Sequence, residues 1–367
     1  EDVISLSIGE PDFSTPWHVR QEAIDTLQQG KTWYSPNRGF FELRQEICKW
    51  VERKYHVTYH PESEVLVTVG GSEAIDLCIR TLINPGDEVL IPEPSFVCYV
   101  PMTEMAKGVP VTIETKMEDN FRLTAKALRE KITPKTKLLI LPFPNNPTGA
   151  VMRREHLEEI AEVVREHNLL VLSDEIYGEL TYGKESHVCF AEIEGMRERT
   201  VVVNGFSKTY AMTGWRIGYA AGPEELIRNM VKLQENVSAC AATSCQVAAI
   251  EALEGSQDHL KYMVEQYRLR RDYVIQRIAE IPGLSCHTPA GTFYAFINIS
   301  RLGIPCEEFA MKLLEEKQVV VVPGTAFGDF GEGYIRLSYA TSMECLEQGL
   351  EALEEFVRAH AAKGDRA

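Results

Sequence analysis

The chain has 367 residues, 44% of them hydrophobic and 25% charged, an ordinary balance for a globular protein long enough for two domains. A net charge of −16 argues against non-specific nucleic-acid binding, and no apolar run approaches the roughly 20 residues of a membrane span. The nine cysteines, odd in number and without a C-x-x-C pair, point to buried thiols in a reducing cytoplasm.

Residues 1–20 read as an irregular arm broken by Gly9-Glu10-Pro11-Asp12 and Thr15-Pro16, without a charged-then-apolar targeting pattern at Glu1-Asp2-Val3. Helices are expected over 17–29 and 40–54, separated by the loop Trp33-Tyr34-Ser35-Pro36-Asn37-Arg38-Gly39. His56 and His60 lie four apart but lack acidic or cysteine neighbours, so no metal site is expected. Beyond them, strands at 64–69, 88–92, 109–114, 137–141, 169–174, 200–203 and 218–221 alternate with helices at 70–82, 95–106, 124–131 and 154–167. Such alternation predicts an α/β fold, with a mostly parallel central sheet, helices on both faces and ligands beyond the carboxyl ends of the strands.

From 223 to 280 the pattern is helical. After Pro282-Gly283 it changes to strands at 293–297, 319–322 and 334–339 with helices near 306–316 and 342–360, then a frayed end at 362–367. This predicts a smaller α+β domain of residues 1–30 and 276–367, beside a large domain of residues 31–275.

The chemistry-bearing residues cluster at strand ends. Lys208 and Arg216 follow the apolar run Thr200-Val201-Val202-Val203-Asn204. A lysine amine forms a Schiff base with a carbonyl, and an arginine nearby meets an anion; an aldehyde beside an anion describes pyridoxal 5′-phosphate. A surface lysine and a structural arginine fit the same residues equally well. Gly70-Gly71-Ser72 opens a helix, where free backbone N–H groups suit a phosphate, although a plain glycine turn with Ser72 as the helix cap is the simpler alternative. Asp174 ends an apolar strand, where a carboxylate needs a partner; a protonated pyridine nitrogen would serve, and so would a helix cap. Tyr177 stands three residues on. Asn145-Asn146-Pro147-Thr148-Gly149 makes a turn in which a cis bond is expected before Pro147. Phe96 either stacks on a flat ring or belongs to the core. Arg336, inside the apolar strand Tyr334-Ile335-Arg336-Leu337-Ser338, takes either a carboxylate ligand or an internal salt bridge.

In this order, from Gly9-Glu10-Pro11-Asp12-Phe13 to Arg336-Leu337-Ser338-Tyr339-Ala340-Thr341, these motifs resemble the class I/II aminotransferases of the fold-type-I pyridoxal-phosphate enzymes over essentially the whole chain. The resemblance implies Lys208 as Schiff-base lysine and proton shuttle, Asp174 on the ring nitrogen, Tyr177 and Asn146 on the ring oxygen, and Phe96 on the ring face. It implies Gly71, Ser72, Ser207 and Arg216 around the phosphate, and Arg336, Gly9 and Asn146 around the substrate carboxylate. Tyr34 would reach the phosphate of a neighbouring subunit, which makes the protein a homodimer. The reaction implied is ping-pong transfer of an amino group from an amino acid to a 2-oxo acid. A carbon–sulfur β-lyase on the same fold, and a non-catalytic cofactor-sensing regulator, are the alternatives; the regulator would need a basic DNA-binding head. Prokaryotic aspartate aminotransferases commonly carry a lysine where Ser72 stands, so the resemblance does not imply strict aspartate specificity. The wording around Gly70–Leu77 and Pro92–Val97 looks closer to the aromatic and N-acetyl-diaminopimelate aminotransferases.

Overall fold

The computed structural model describes residues 3–183 and 186–364. The chain opens with β1 (Ile4–Ser5), α1 (Trp17–Gln28) and α2 (Phe41–Tyr55). The alternating region follows as β2 (Val65–Thr68), α3 (Gly70–Leu82), β3 (Glu88–Glu93), α4 (Tyr99–Met105), β4 (Val109–Glu114), α5 (Ala125–Lys131), β5 (Thr136–Leu141), α6 (Arg154–Glu166), β6 (Leu170–Asp174), β7 (Thr200–Gly205) and β8 (Gly218–Ala221). Its strands form one seven-stranded sheet in the order β2-β8-β7-β6-β5-β3-β4, and β8 runs antiparallel to both its neighbours.

Period-two alternation explains why both faces of this sheet are covered. Leu90, Leu139, Leu141 and Val171 point to one side, where they meet α6. Val89, Ile91, Leu138, Ile140 and Leu172 point to the other, where they meet α3. The buried stripe Leu157, Ile160, Val163 and Val164 on α6 has helical spacing. Each such side chain contributes roughly 1.5–3 kcal/mol on burial.

Three helices follow: α7 (Glu224–Val237), α8 (Thr243–Glu254) and α9 (Asp258–Glu280). The expected continuous helical pattern is interrupted, because the chain leaves helical geometry at Ser238 and Gly255. Beyond them, β9 (Ser285–Cys286), β10 (Tyr294–Asn298), α10 (Cys306–Lys317), β11 (Val319–Val320), β12 (Val322–Pro323), β13 (Tyr334–Ser338) and α11 (Met343–Gly364) complete the fold. A second sheet has the antiparallel order β12-β13-β10-β9. The run 319–322, expected as one strand, is divided between two sheets: β11 pairs in parallel with β1 of the arm, and β12 pairs with β13. The C-terminal helix passes the expected end at 360 and reaches Gly364, so fraying does not begin at 362; residues 365–367 lie outside the described part.

The helix expected over 95–106 is shorter, because the Ser95 amide bonds to the Phe327 carbonyl (3.0 Å) instead of entering a helix. The Asn146–Pro147 bond is cis, as are Glu93–Pro94 and Phe143–Pro144.

The arm is fastened along its length. The Ile4 and Leu6 amides donate to the Gln318 and Val320 carbonyls, and the Thr15 hydroxyl donates to the Ala211 carbonyl (2.6 Å). Between these points the Ser7 and Gly9 carbonyls face residues of the site described next.

Candidate active site

The carboxyl ends of β3, β5, β6 and β7 open on a cavity of about 410 Å³. Gly9, Gly71, Ser72, Phe96, Asn146, Asp174, Tyr177, Ser207, Lys208, Arg216 and Arg336 all line it. Residues far apart in sequence are thus brought together around one space. Tyr34 is the exception: it is 85% exposed and does not line the cavity.

Register explains the placement of Asp174. It ends β6 opposite Val203, and its neighbour Glu175 turns away to accept from the Ser173 hydroxyl (2.7 Å) and pair with His187 (2.8 Å). Asp174 is left facing the cavity, where it accepts from the Tyr99 hydroxyl (2.7 Å) and the Ile176 amide (3.2 Å). No ion pair to it is found among the described residues. Burial pushes its carboxyl up to about 6, against the two hydrogen bonds.

Lys208 leaves the end of β7 and donates to the Gly9 carbonyl (2.6 Å). Burial is the main cause that brings its amine down to about 8; nearby Glu10 opposes this, and Arg216 and Arg336 reinforce it. The amine lies 5.8 Å from the Tyr177 ring centre and 5.9 Å from that of Phe293.

The turn into α3 is built for an anion. Gly70 has φ +75, and a Cβ there would run into the Arg216 guanidinium. Only glycine combines that backbone angle with that clearance. Ser72 does not cap the helix. The cap position is Val69, and the Glu73 carboxylate closes the turn by accepting the Val69 amide (2.6 Å), so Ser72 remains in the cavity wall. Arg216 donates to the Thr213 carbonyl (2.9 Å). A helix start and a guanidinium on one wall suit a phosphate.

Arg336 also lines the cavity. Its Nη1 donates to the Asn146 Oδ1 (2.9 Å), and its Nη2 to the Ser7 carbonyl (2.6 Å). Its Nε is buried without a partner. The guanidinium lies 4.3 Å from the Tyr294 ring centre and 4.8 Å from that of Phe327. No carboxylate pairs with it among the described residues, so the alternative of an internal salt bridge finds no partner there.

Sequence reasoning missed Tyr99, Tyr294 and Phe327. Tyr99 lies inside a helix and bonds Asp174. Tyr294 lines the cavity with its hydroxyl 2.9 Å from that of Tyr177. Alternation could not single it out, since Phe293 and Tyr294 are both buried.

A family model described as aminotransferase class I and II matches residues 1–353. The chain belongs to this family. It is an aminotransferase. A Bacillus subtilis relative named for N-acetyl-LL-diaminopimelate aminotransferase activity is 43% identical over 97% of this chain and 90% of its own length. An aspartate aminotransferase from Pyrococcus abyssi is 44% identical over 98% and 92%. The crystal structure of an aromatic aminotransferase from Pyrococcus horikoshii superposes with a TM-score of 0.96 at 43% identity, covering 98% of this chain and 96% of that one. Among the described residues no helix is long and apolar enough to cross a membrane.

Proposed function

We propose that this aminotransferase uses pyridoxal 5′-phosphate and moves an amino group from an L-amino acid to a 2-oxo acid in two separate half-reactions, a ping-pong scheme. The observation that carries the reading is the buried Asp174 carboxylate. It has no ion-pair partner among the described residues, and shares its cavity with an amine shifted toward neutrality and a helix start beside a guanidinium. A flat ring with a protonated nitrogen, an aldehyde and a phosphate fits that set of donors and acceptors.

When bound, the cofactor's protonated ring draws electrons from the substrate α-carbon. Asp174 would keep the ring nitrogen protonated. Tyr177 and the Asn146 amide would serve the ring oxygen, and Phe96 the ring face. The Gly71 and Ser72 amides, the Ser207 hydroxyl and Arg216 would hold the phosphate. Arg336, with the Gly9 backbone and Asn146, takes the α-carboxylate through its planar fork. Lys208 would hold the cofactor's aldehyde as a Schiff base, and as a free amine it would be the base that moves the substrate α-proton.

The domain division belongs to the same reading. Gly9, Tyr294 and Arg336 close the cavity from the smaller unit (1–30 and 276–367), against a wall supplied by residues 31–275. The exposed Trp33 and Tyr34 support a homodimer in which Tyr34 enters the neighbour's site. The nine free cysteines agree with a cytoplasmic enzyme.

Each cavity cation already has a task in this scheme, and the lining also includes the apolar Ile75 and Ile176. The reading therefore favours aromatic over acidic donors. Purified protein should be yellow, and its absorbance should shift on adding a donor alone. With 2-oxoglutarate as acceptor, kcat/KM for an aromatic donor should exceed that for aspartate by about tenfold or more. Pyruvate released from cystathionine without an oxo acid would instead mark a β-lyase.

Asp174 has a stability signature of its own. Its carboxyl is raised above the unfolded value, so the folded state holds the proton longer. Stability from this group is therefore lost as pH rises from about 4 to about 6, and the penalty persists above. Asp174→Asn should stabilise the cofactor-free protein at pH 8 by about 1–2 kcal/mol while sharply weakening cofactor retention. Thermal melts of the two cofactor-free proteins at pH 8 and pH 4.5 check this; a gain of equal size at both would remove ionisation as its cause.

A further inference from the structure

Tyr294 takes no part in the scheme above, yet it touches three of its members. Its hydroxyl is 2.9 Å from the Tyr177 hydroxyl. The same hydroxyl rests against the Cα of Gly9, where an added Cβ would come within 2.8 Å of it. Its ring lies beneath the Arg336 guanidinium at 4.3 Å. Both phenols are buried, so each needs a hydrogen-bond partner, and they have each other.

One proton lies between the two oxygens, and which phenol gives it decides what the other can do. If Tyr177 donates to Tyr294, it has no proton left for a ligand. If Tyr294 donates, the Tyr177 proton is free to point into the cavity. Burial raises both groups and the positive charge of Arg336 lowers both, most directly Tyr294, over whose ring it lies. The more acidic phenol is the better donor. A hydrogen bond received by Tyr177 also polarises its own O–H, so the two bonds strengthen each other.

Resting on the reading of Tyr177 as donor to the cofactor's ring oxygen, we propose that Tyr294 is a positioning residue heading a two-phenol relay, Tyr294 to Tyr177 to ring oxygen, while its ring separately orients Arg336. The relay stabilises negative charge on the ring oxygen. It thereby lowers the pH at which the bound chromophore gives up its proton. The ring holds the guanidinium plane for the substrate carboxylate whether or not the hydroxyl is present.

The test is a pH titration of the absorbance of the cofactor-loaded enzyme, followed by steady-state kinetics. Tyr294→Phe should raise the colour-change midpoint by about half a pH unit, a threefold change in the proton equilibrium, with the KM of both substrates unchanged. Tyr177→Phe should raise it further, and the double variant should match Tyr177→Phe alone, because the first phenol acts only through the second. Tyr294→Leu should shift the midpoint and also raise both KM values about tenfold, since it removes the platform under Arg336. An unshifted midpoint in Tyr294→Phe, or additive shifts in the double variant, would overturn the relay. If Tyr177→Phe also leaves the midpoint in place, the assignment of Tyr177 falls with it; if Tyr177→Phe shifts alone, only the role of Tyr294 is lost.

Discussion

Replacing Lys208 with alanine should lower turnover by about four orders of magnitude while the protein keeps its fold. Proton transfer by a positioned base is worth roughly 10²–10⁴ by itself, and in the proposed scheme the same amine also carries the covalent attachment. The fold should survive because the amine is anchored by one hydrogen bond, to Gly9, and makes no ion pair among the described residues. Its burial already disfavours the charged form. Alanine removes that desolvated group and leaves a space open to the cavity. The melting temperature of the variant should stay within a few degrees of the parent, and small primary amines added to the assay should restore part of the activity. A Lys208→Ala protein that transaminates at the parental rate would sink the proposed mechanism.

Arg336→Ala should raise the KM of donor and acceptor together, by about a hundredfold, and leave cofactor affinity within about twofold. The two substrates share a carboxylate, and a charge-assisted bond to it contributes about 1.5–3 kcal/mol. Lysine at this position should restore little, because a point charge cannot replace the planar fork seated between the Tyr294 and Phe327 rings. Initial-rate kinetics and a cofactor titration separate the outcomes. Equal losses of substrate and cofactor binding would give Arg336 a structural role, holding Asn146 and the arm in place.

Much of the sheet and its site was legible in the sequence, for a physical reason. Polar residues at the ends of apolar strands, such as Asp174 and Lys208, contradict their surroundings and so advertise a partner. Arg336 does the same from inside a strand. Residues that agree with their surroundings do not stand out. Tyr99 reads as one more helical aromatic, and Tyr294 lies in the run Phe293-Tyr294-Ala295-Phe296-Ile297, every member of which is buried. Their value comes from a hydroxyl whose partner is distant in sequence: Asp174 for Tyr99 and Tyr177 for Tyr294. The split of 319–322 between two sheets was hidden for the same reason, since it depends on Ile4 and Ser5 arriving from the other end of the chain. The short α4 likewise depends on a carbonyl of Phe327.

The arm sets up an internal competition at the site. The Gly9 carbonyl holds Lys208, and that of Ser7 holds one nitrogen of Arg336. A substrate approaching Arg336 through that nitrogen does not meet a bare cation; it displaces a neutral carbonyl. An amide or ester exchanges one neutral oxygen for another there and gains little. A carboxylate exchanges a neutral acceptor for a charged one, with a bond roughly twice as strong. If Arg336 receives the substrate carboxylate as proposed, selectivity for free acids is written partly into the arm, which occupies the arginine at a strength that only an anion improves upon.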